Sequence, residues 1–289
     1  MLDLLKIVLK LKLIKGEIKL KMIMCWILLA LCLFFGLYPF AHHSPLIAYA
    51  VSNIAVVLCL IHCSMWAGWP TTIKMFLFSA LFGGFVEILG VNFQYLYCNY
   101  YYPDGINGPM VLGVPIMVMV SYFSLGYACF IMGRVLVGGL SNKVNGIRWL
   151  GVAIFTGIVM TTHDFSNDPF MSTVKGLWIW RDGGAYFGVP LSNFIAWFIN
   201  TGIIAAVVGL LANSDQAMKH ISVPQNPNFF LPPILLYLVF EIPVMLRPIT
   251  IDPSAINLAG SGIAMFATTV PVLAALLVLY GQNSQQNTR

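Results

Sequence analysis

The chain has 289 residues, of which 59% are hydrophobic and only 9% are charged, and its mean hydropathy is +0.86. A soluble domain carries about 25% charged residues, so this composition excludes an ordinary soluble enzyme and predicts an integral membrane protein. The net charge of +5 comes largely from the lysines between Lys6 and Lys21. Such a segment suits an anionic membrane surface, so we expect the lipid bilayer as a partner and no nucleic acid.

Eight apolar runs have the roughly 20 residues that a membrane-spanning helix needs. Because backbone polar groups find no water partner in lipid, each run should be a helix, and the predicted fold is an all-α polytopic bundle of about eight transmembrane helices. We expect a basic cytoplasmic surface segment at 1–21, one transmembrane domain at 22–281 and a polar tail at 282–289. The predicted spans are 22–40, 46–66, 73–91, 110–133, 147–164, 194–212, 229–246 and 255–280.

The distribution of Lys and Arg predicts the orientation of the chain in a cell membrane. If both termini are cytoplasmic, 12 of the 15 Lys and Arg residues lie on the cytoplasmic side. The other three, Lys175, Arg181 and Arg247, lie on the opposite side. Positive charge concentrates in cytoplasmic loops, so this topology is favoured.

Two loops carry copies of one short pattern, aromatic-x-aromatic-x-Asp-Gly. Residues 100–105 read Tyr-Tyr-Tyr-Pro-Asp-Gly and residues 178–183 read Trp-Ile-Trp-Arg-Asp-Gly, and Gly-Val-Pro follows each at 113–115 and 188–190. The pattern indicates a parallel internal repeat of two units, 73–133 and 147–212, each with a helix, a motif loop and a returning helix. Chance similarity between two aromatic-rich loops is the alternative.

Acidic residues inside or beside the spans are functional candidates because charge is costly in a membrane. Glu87 lies 17 residues before Asp104, and Asp164 lies 18 residues before Asp182. If the fifth span continues as a helix to Asp168, the carboxyl groups of Asp164 and Asp168 share one face. Together with Glu241 in the seventh span, Glu87, Asp164 and Asp168 should converge at one depth. Burial and neighbouring carboxylates both disfavour ionisation, so at least one acid of this cluster should stay protonated and act as a proton donor.

Aromatic side chains near these acids could stabilise a cation through their ring faces. A proton donor, an aromatic wall and an apolar cavity together suit protonation of an alkene and shielding of the carbocation. Interfacial anchoring is the alternative explanation for the aromatic residues. Glu241, in the seventh span, joins the substrate-binding candidates, with Arg247 or a backbone gap at Pro243 as its alternative partners. The aromatic candidates are Tyr100, Tyr102, Trp178, Trp180 and Tyr186.

Longer motifs surround these residues. Residues 164–169 read Asp-Phe-Ser-Asn-Asp-Pro, 176–180 read Gly-x-Trp-x-Trp, and 186–194 read Tyr-Phe-Gly-Val-Pro-Leu-Ser-Asn-Phe, with Trp197 following. This block resembles the signature of carotenoid biosynthesis membrane proteins, which include bisanhydrobacterioruberin hydratases and γ-carotene hydratases. Glu-Ile-Leu-Gly at 87–90, with the loop after it, resembles the family's earlier block. Residues 91–98 depart from the family pattern.

The resemblance implies a cofactor-independent hydration of the terminal double bond of a linear carotenoid, which gives a tertiary alcohol. Asp164 or Asp168 would be the acid, and Glu87 or Asp182 would orient the water. Asn193 and Trp197 join the expected substrate-binding residues. The lipophilic carotenoid is then the substrate, and other enzymes of the pathway are candidate partners.

Three rival functions fit some of the same residues. A membrane prenyltransferase could hold Mg²⁺ at Asp164 and Asp168, with only Lys175 and Arg181 close enough to bind a diphosphate. A carotenoid cyclase needs the same proton donor but must exclude water. A proton-coupled transporter or an assembly factor is the alternative of another class. We expect no metal site, since His62 beside two cysteines offers too few convergent ligands.

Overall fold

The computed structural model describes residues 2–37, 45–95, 97, 99–138, 147–214 and 226–287. This part of the chain is 82% helical, and six of its helices are long and apolar enough to cross a membrane. The predicted all-α polytopic fold is confirmed, whereas the predicted number of eight spans is not. The helices are α1 (Leu2–Leu37), α2 (Pro45–Phe93), α3 (Ile116–Gly138), α4 (Ile147–Asp168), α5 (Leu191–Ser214), α6 (Pro227–Thr250), α7 (Ala255–Ile263) and α8 (Thr269–Asn287).

The difference in number has a local cause in α2. This helix covers both predicted spans 46–66 and 73–91, and it is interrupted at Gly68, whose φ of 73° and ψ of 157° are not helical. Glycine adopts such a positive φ at little cost, and Pro70 follows inside the helix. The hydroxyl of Thr72 donates to the Gly68 carbonyl at 2.8 Å, which satisfies one acceptor at the kink. The predicted span 147–164 corresponds to α4, which is not among the six candidate membrane-spanning helices of the described residues.

Two helices run across boundaries that the sequence predicts between its segments, and the predicted division into segments stays a prediction. α1 continues without a break across the predicted boundary at residues 21 and 22, and α8 extends to Asn287, into the predicted tail. α7 and α8 are joined by a π-helical segment, Ala264–Thr268. Residues 38–40 of the first predicted span, Lys143, Lys219 and Arg289 lie outside the described residues.

The predicted start of the fourth span at residue 110 is wrong. β2 (Met110–Val111) pairs with β3 (Val114–Pro115) in a short hairpin, and α3 begins only at Ile116. Leu112 and Gly113, between the strands, have φ values of 50° and 82°. Two consecutive residues with positive φ form the tight turn that suits a hairpin. Hydropathy alone cannot distinguish such an apolar hairpin from the first turns of a helix.

The helices pack so that both motif loops lie at one end of the bundle. α2 packs along α3, α4 packs along α5, and α3 and α4 join the two pairs. Glu87 is near the end of α2, Asp164 and Asp168 are at the end of α4, and Asn193 is in the first turn of α5. The fold therefore brings these side chains to the same end of the bundle.

A buried hydrogen-bond chain links α2, α3 and α6 elsewhere in the core. His62 Nε2 lies 2.7 Å from the Phe229 carbonyl oxygen, and His62 Nδ1 lies 2.7 Å from the Tyr127 hydroxyl. A carbonyl can only accept, so Nε2 carries the proton and Tyr127 donates to Nδ1 of the neutral ring. The Trp66 indole donates to Tyr127 at 2.7 Å. Both nitrogens of His62 thus serve to join helices.

Candidate active site

The two motif loops pair with each other. Strand β1 (Tyr100–Tyr101) runs antiparallel to strand β4 (Ile179–Trp180), with Tyr100 opposite Trp180. Side chains alternate between the two faces of a strand, so the aromatic residues of both motifs share one face. The ring centroids of Tyr100 and Trp180 are 4.9 Å apart, and those of Tyr102 and Trp178 are 6.3 Å apart. The repeated pattern therefore builds one aromatic layer from both halves of the chain.

The segments that follow the two motifs also have matching backbone conformations. Leu112 and Gly113 have φ values of 50° and 82°, and Phe187 and Gly188 have φ values of 49° and 88°. Val-Pro follows each pair, and a helix begins at the next residue, Ile116 or Leu191. The local geometry of the two copies is the same. A repeat over the full units 73–133 and 147–212 stays a prediction.

A cavity of about 180 Å³ lies against the inner face of this small sheet. Its wall combines acidic, phenolic and indole side chains with a histidine. Apolar side chains from α3 and α4 complete it. The polar and aromatic residues that line the cavity are Glu87, Tyr97, Tyr100, Tyr102, Ser121, His163, Asp164, Asn167, Asp168, Trp178, Trp180, Asn193 and Trp197.

Glu87 forms the first acidic centre of the cavity, and three phenols donate to it. Its Oε2 accepts from Tyr100 at 2.5 Å and from Tyr102 at 3.0 Å, and its Oε1 accepts from Tyr122 at 2.7 Å. Tyr100 and Tyr102 lie outside the spanning helices. Burial raises the pKa of both phenols well above the ordinary value, and the charge of Glu87 raises it further. Both hydroxyls therefore remain donors at neutral pH.

A second set of bonds fixes Tyr122. Because its hydroxyl donates to Glu87, its oxygen accepts from the Tyr97 hydroxyl, 3.0 Å away. Tyr97 in turn accepts from the side-chain amide of Asn200 at 2.6 Å. The ring of Tyr122 stacks on Trp197, with centroids 4.8 Å apart and planes at 16°. The carboxylate of Glu87 is thus held by an ordered chain of donors that begins on α5.

Asp164 and Asp168 form the second acidic centre. α4 continues to Asp168, and Pro169 follows, so the two residues are one helical turn apart on one face. The Asn193 amide nitrogen donates to Oδ2 of both carboxyl groups, at 2.7 Å each. Asp168 Oδ1 also accepts from the indole of Trp178 at 3.0 Å and from that of Trp180 at 3.5 Å. The aromatic residues of the first motif therefore donate hydrogen bonds to Glu87, and those of the second donate to Asp168.

His163 contributes a third polar group, paired with Glu241. His163 Nδ1 contacts Glu241 Oε1, and the Ser166 hydroxyl donates to Glu241 Oε2 at 3.0 Å. Glu241 is completely buried. The alternative partners considered for Glu241, Arg247 and the backbone gap at Pro243, are therefore wrong. Arg247 instead donates to the Asn167 side-chain oxygen at 2.5 Å.

The comparison with protein families decides to which family the chain belongs. The family model described as "Carotenoid biosynthesis protein" matches residues 46–279, which include every side chain of the cavity. The chain belongs to this family. Searches of the curated proteins and of the solved structures found no match. The protein is therefore a multi-pass membrane protein of carotenoid biosynthesis, with a lipophilic carotenoid as the substrate that the family implies.

Some predicted residues of this carotenoid biosynthesis protein lie outside the cavity. Asp104 and Asp182 are exposed in turns beyond the sheet, where Gly105 and Gly183 have φ values of 79° and 64°. The Asp-Gly pair makes the turn after each strand, which directs the acid away from the cavity. The structure therefore does not place Asp104 or Asp182 with the other acids, in contrast to the expectation from the repeat.

Tyr186 and Glu241 also do not line the cavity. The Tyr186 hydroxyl donates to the Phe165 carbonyl at 3.2 Å, and its ring packs edge-on against Phe165 and Phe194. Glu241 lies behind His163 and acts on the cavity only through that ring. The remaining predicted substrate-binding residues all line the cavity: Tyr100, Tyr102, Trp178, Trp180, Asn193 and Trp197.

Sequence reasoning missed Tyr122, although a signal for it exists. Tyr122 lies seven residues after Pro115, and Trp197 lies seven residues after Pro190. Extension of the repeat beyond Gly-Val-Pro would have aligned the two, and in the structure they stack on each other. Tyr97 and Asn200 carry no such signal, because the first copy and the second differ at these positions.

Proposed function

We propose that this protein is a carotenoid hydratase that adds water to the terminal double bond of a linear carotenoid. The observation that carries the proposal is the pair of buried carboxyl groups, Asp164 and Asp168, bridged by one Asn193 amide in an aromatic cavity. Two carboxyl groups so close together are disfavoured as two anions, so the pair holds a proton. A neutral carboxylic acid next to aromatic rings is suited to protonate an alkene.

The hydrogen bonds favour Asp164 as the acid. Asp168 accepts three N–H donors, from Asn193, Trp178 and Trp180, and such donors stabilise a carboxylate. Asp164 accepts only the Asn193 donor at its Oδ2. No hydrogen bond joins its Oδ1 to the described residues. We therefore assign the transferable proton to Asp164 Oδ1 and the negative charge to Asp168.

The reaction then has two steps. The proton of Asp164 passes to the less substituted carbon of the terminal double bond, and the π electrons form the new C–H bond. This leaves a positive charge on the tertiary carbon, which the ring faces of Trp178, Trp180 and Trp197 stabilise. The oxygen of a water molecule adds to that carbon and loses one proton, which gives a tertiary alcohol. No electron is gained or lost overall, so the step needs no redox cofactor.

The size of the cavity fits one end of a long polyene. Sites that enclose a drug-sized ligand have about 300–1,000 Å³, whereas this cavity has about 180 Å³. A linear carotenoid therefore inserts only its terminal group. The rest of the chain extends among the apolar helices and into the bilayer.

The prenyltransferase alternative fits the site less well. Three of the four carboxyl oxygens of Asp164 and Asp168 accept N–H donors, so only Asp164 Oδ1 is left without a donor from the described residues and available to a Mg²⁺ ion. Lys175 and Arg181, the cations available for a diphosphate, lie over the rings of Phe170 and Tyr101. Neither lines the cavity.

Pigment analysis in a lycopene-producing host tests the proposal. Cells that express the protein should accumulate a carotenoid heavier by one water, and Asp164→Asn should abolish that product. Asp182→Asn is the matched control, because it makes the same change at an exposed turn. Absence of hydroxylated product from every acyclic carotenoid offered would refute the proposal. A ring-containing product would instead identify a cyclase.

A further inference from the structure

Hydration requires a group that takes the proton from the attacking water, and Glu87 and Asp168 are poorly placed for this. Both oxygens of Glu87 already accept phenol donors, and Asp168 accepts three N–H groups. Asp182, the other residue expected to orient water, is exposed in its turn. Among the titratable side chains described in the cavity wall, His163 has a ring nitrogen that these networks do not use.

The contacts of His163 determine its tautomer. Glu241 is fully buried and accepts from Ser166 at its other oxygen, which leaves Oε1 to accept from His163 Nδ1. A carboxylate accepts only, so Nδ1 carries the proton and Nε2 has a free lone pair in the neutral ring. Nε2 makes no hydrogen bond to any part of the chain that the structure describes. Contacts with the rings of Tyr237 and Phe240 further fix the imidazole.

His163 also lines a second cavity, which neighbours the first. This second cavity has a volume of about 250 Å³ and is lined in part by Ser52, Ser124 and Arg247. A water molecule occupies about 30 Å³ in the liquid, so the space suffices for several. The residues that line both cavities are Ser121, Leu125, His163 and Asn167. His163 therefore lines both the cavity that holds the acid pair and a neighbouring cavity with polar groups.

We propose that His163 is the catalytic base of the hydration and that its water comes from the second cavity. Glu241 is a positioning residue, which holds the tautomer and stabilises the imidazolium. As the water oxygen bonds to the tertiary carbon, one of its O–H bonds breaks and the proton passes to His163 Nε2. The proton then returns through water to Asp164, so each turnover consumes one water and no net proton. This inference rests on the proposed hydration and assigns its second step.

Deuterium incorporation separates the two steps. Membranes with the protein are incubated with lycopene in D₂O, and both the product and the recovered lycopene are analysed by mass spectrometry. The wild-type protein should yield deuterated alcohol. In His163→Gln the cation should still form but return to an alkene by losing a proton to the acid pair. We expect at least about a 100-fold loss of alcohol, the lower range for a general base, with deuterium retained in recovered lycopene.

Further variants distinguish the loss of a catalytic group from misfolding of the protein. Thr162→Val changes the neighbouring residue, whose hydroxyl bonds the Ile158 carbonyl in its own helix, and should leave the rate of alcohol formation unchanged. Glu241→Gln should reduce alcohol formation with the same deuterium pattern as His163→Gln. Ser52→Leu, which narrows the second cavity and changes neither His163 nor Glu241, should do likewise.

Each result is decisive for a separate claim. Alcohol formation at the wild-type rate in His163→Gln would overturn the assignment of the base. Loss of both alcohol and deuterium in a His163→Gln protein with wild-type thermal stability would also overturn it, because His163 would then act in protonation. Wild-type protein that produces neither alcohol nor deuterated substrate from any acyclic carotenoid offered would instead refute the proposed hydration itself.

Discussion

The two hydroxyl groups of Tyr102 and Tyr122 donate to the same carboxylate, but their removal should have unequal effects. In Tyr102→Phe, Glu87 Oε2 loses the bond at 3.0 Å and keeps the Tyr100 donor at 2.5 Å. In Tyr122→Phe, Oε1 loses the donor at 2.7 Å, and the Tyr97 hydroxyl loses its acceptor as well. The first change breaks one bond to an acceptor that retains another, whereas the second leaves two buried polar groups unsatisfied.

The expected magnitudes follow from these contacts. Loss of one bond to an acceptor that remains satisfied costs about 1 kcal/mol, and each buried group left unsatisfied costs about 1–3 kcal/mol. Tyr122→Phe should therefore lower the free energy of unfolding by about 2 kcal/mol more than Tyr102→Phe. In a protein of this size the difference corresponds to about 3 °C in the midpoint of thermal unfolding.

Thermal unfolding of the purified protein in detergent measures this difference. The two variants make the same chemical change on the same network, and both retain the aromatic ring, so ring stacking is preserved. Equal midpoints, or a lower midpoint for Tyr102→Phe, would refute the arrangement of donors around Glu87. Tyr97→Phe should lower the midpoint less than Tyr122→Phe does, because Tyr122 would then still donate to Glu87.

Two further predictions concern the motif loops. Asp104→Asn and Asp182→Asn should change the yield of hydroxylated carotenoid by less than about twofold, since surface changes away from a site have small effects. A large loss of product in pigment assays would instead show that these acids take part in the reaction. Gly188→Ala should lower the thermal midpoint more than Gly183→Ala. Both glycines have positive φ, but a Cβ at Gly188 would lie 2.8 Å from Thr173 Oγ1, whereas a Cβ at Gly183 meets nothing within 4 Å. Equal midpoints would contradict the close packing at Gly188.

Hydropathy predicted most of the helical structure because lipid imposes one simple requirement on the backbone. It failed where an apolar segment satisfies its backbone groups in another way. Residues 110–115 do so through a two-stranded hairpin, which depends on the left-handed conformation of Leu112 and Gly113. The kink at Gly68, by contrast, lies in the gap between the predicted spans 46–66 and 73–91, so hydropathy did indicate an interruption of α2 there.

For the site, the cost of charge in a membrane identified Glu87, Asp164 and Asp168, and the structure places all three in one cavity wall. The same reasoning also selected Asp104 and Asp182, although an Asp-Gly pair is common in turns that have no catalytic role. Their catalytic role stays a prediction that the geometry does not favour.

Contacts between distant helices were beyond the reach of the sequence. His163 and Glu241 are 78 residues apart, and no local pattern shows that α4 and α6 turn these faces toward each other. The likeness of Tyr122 and Trp197 could have been read from the repeat. Their stacking could not, because it depends on how the two helical pairs approach.

The pairing of β1 with β4 has a consequence for how substrate reaches the acids. If the sheet opened, Glu87 would lose the donors Tyr100 and Tyr102, and Asp168 would lose Trp178 and Trp180 at the same moment. The charged groups would then face each other without compensation in a largely apolar bundle. On the proposed mechanism, opening of the sheet would disrupt the hydrogen bonds that hold both acidic centres. We therefore expect a polyene to enter from the bilayer, between helices, while the two strands stay paired.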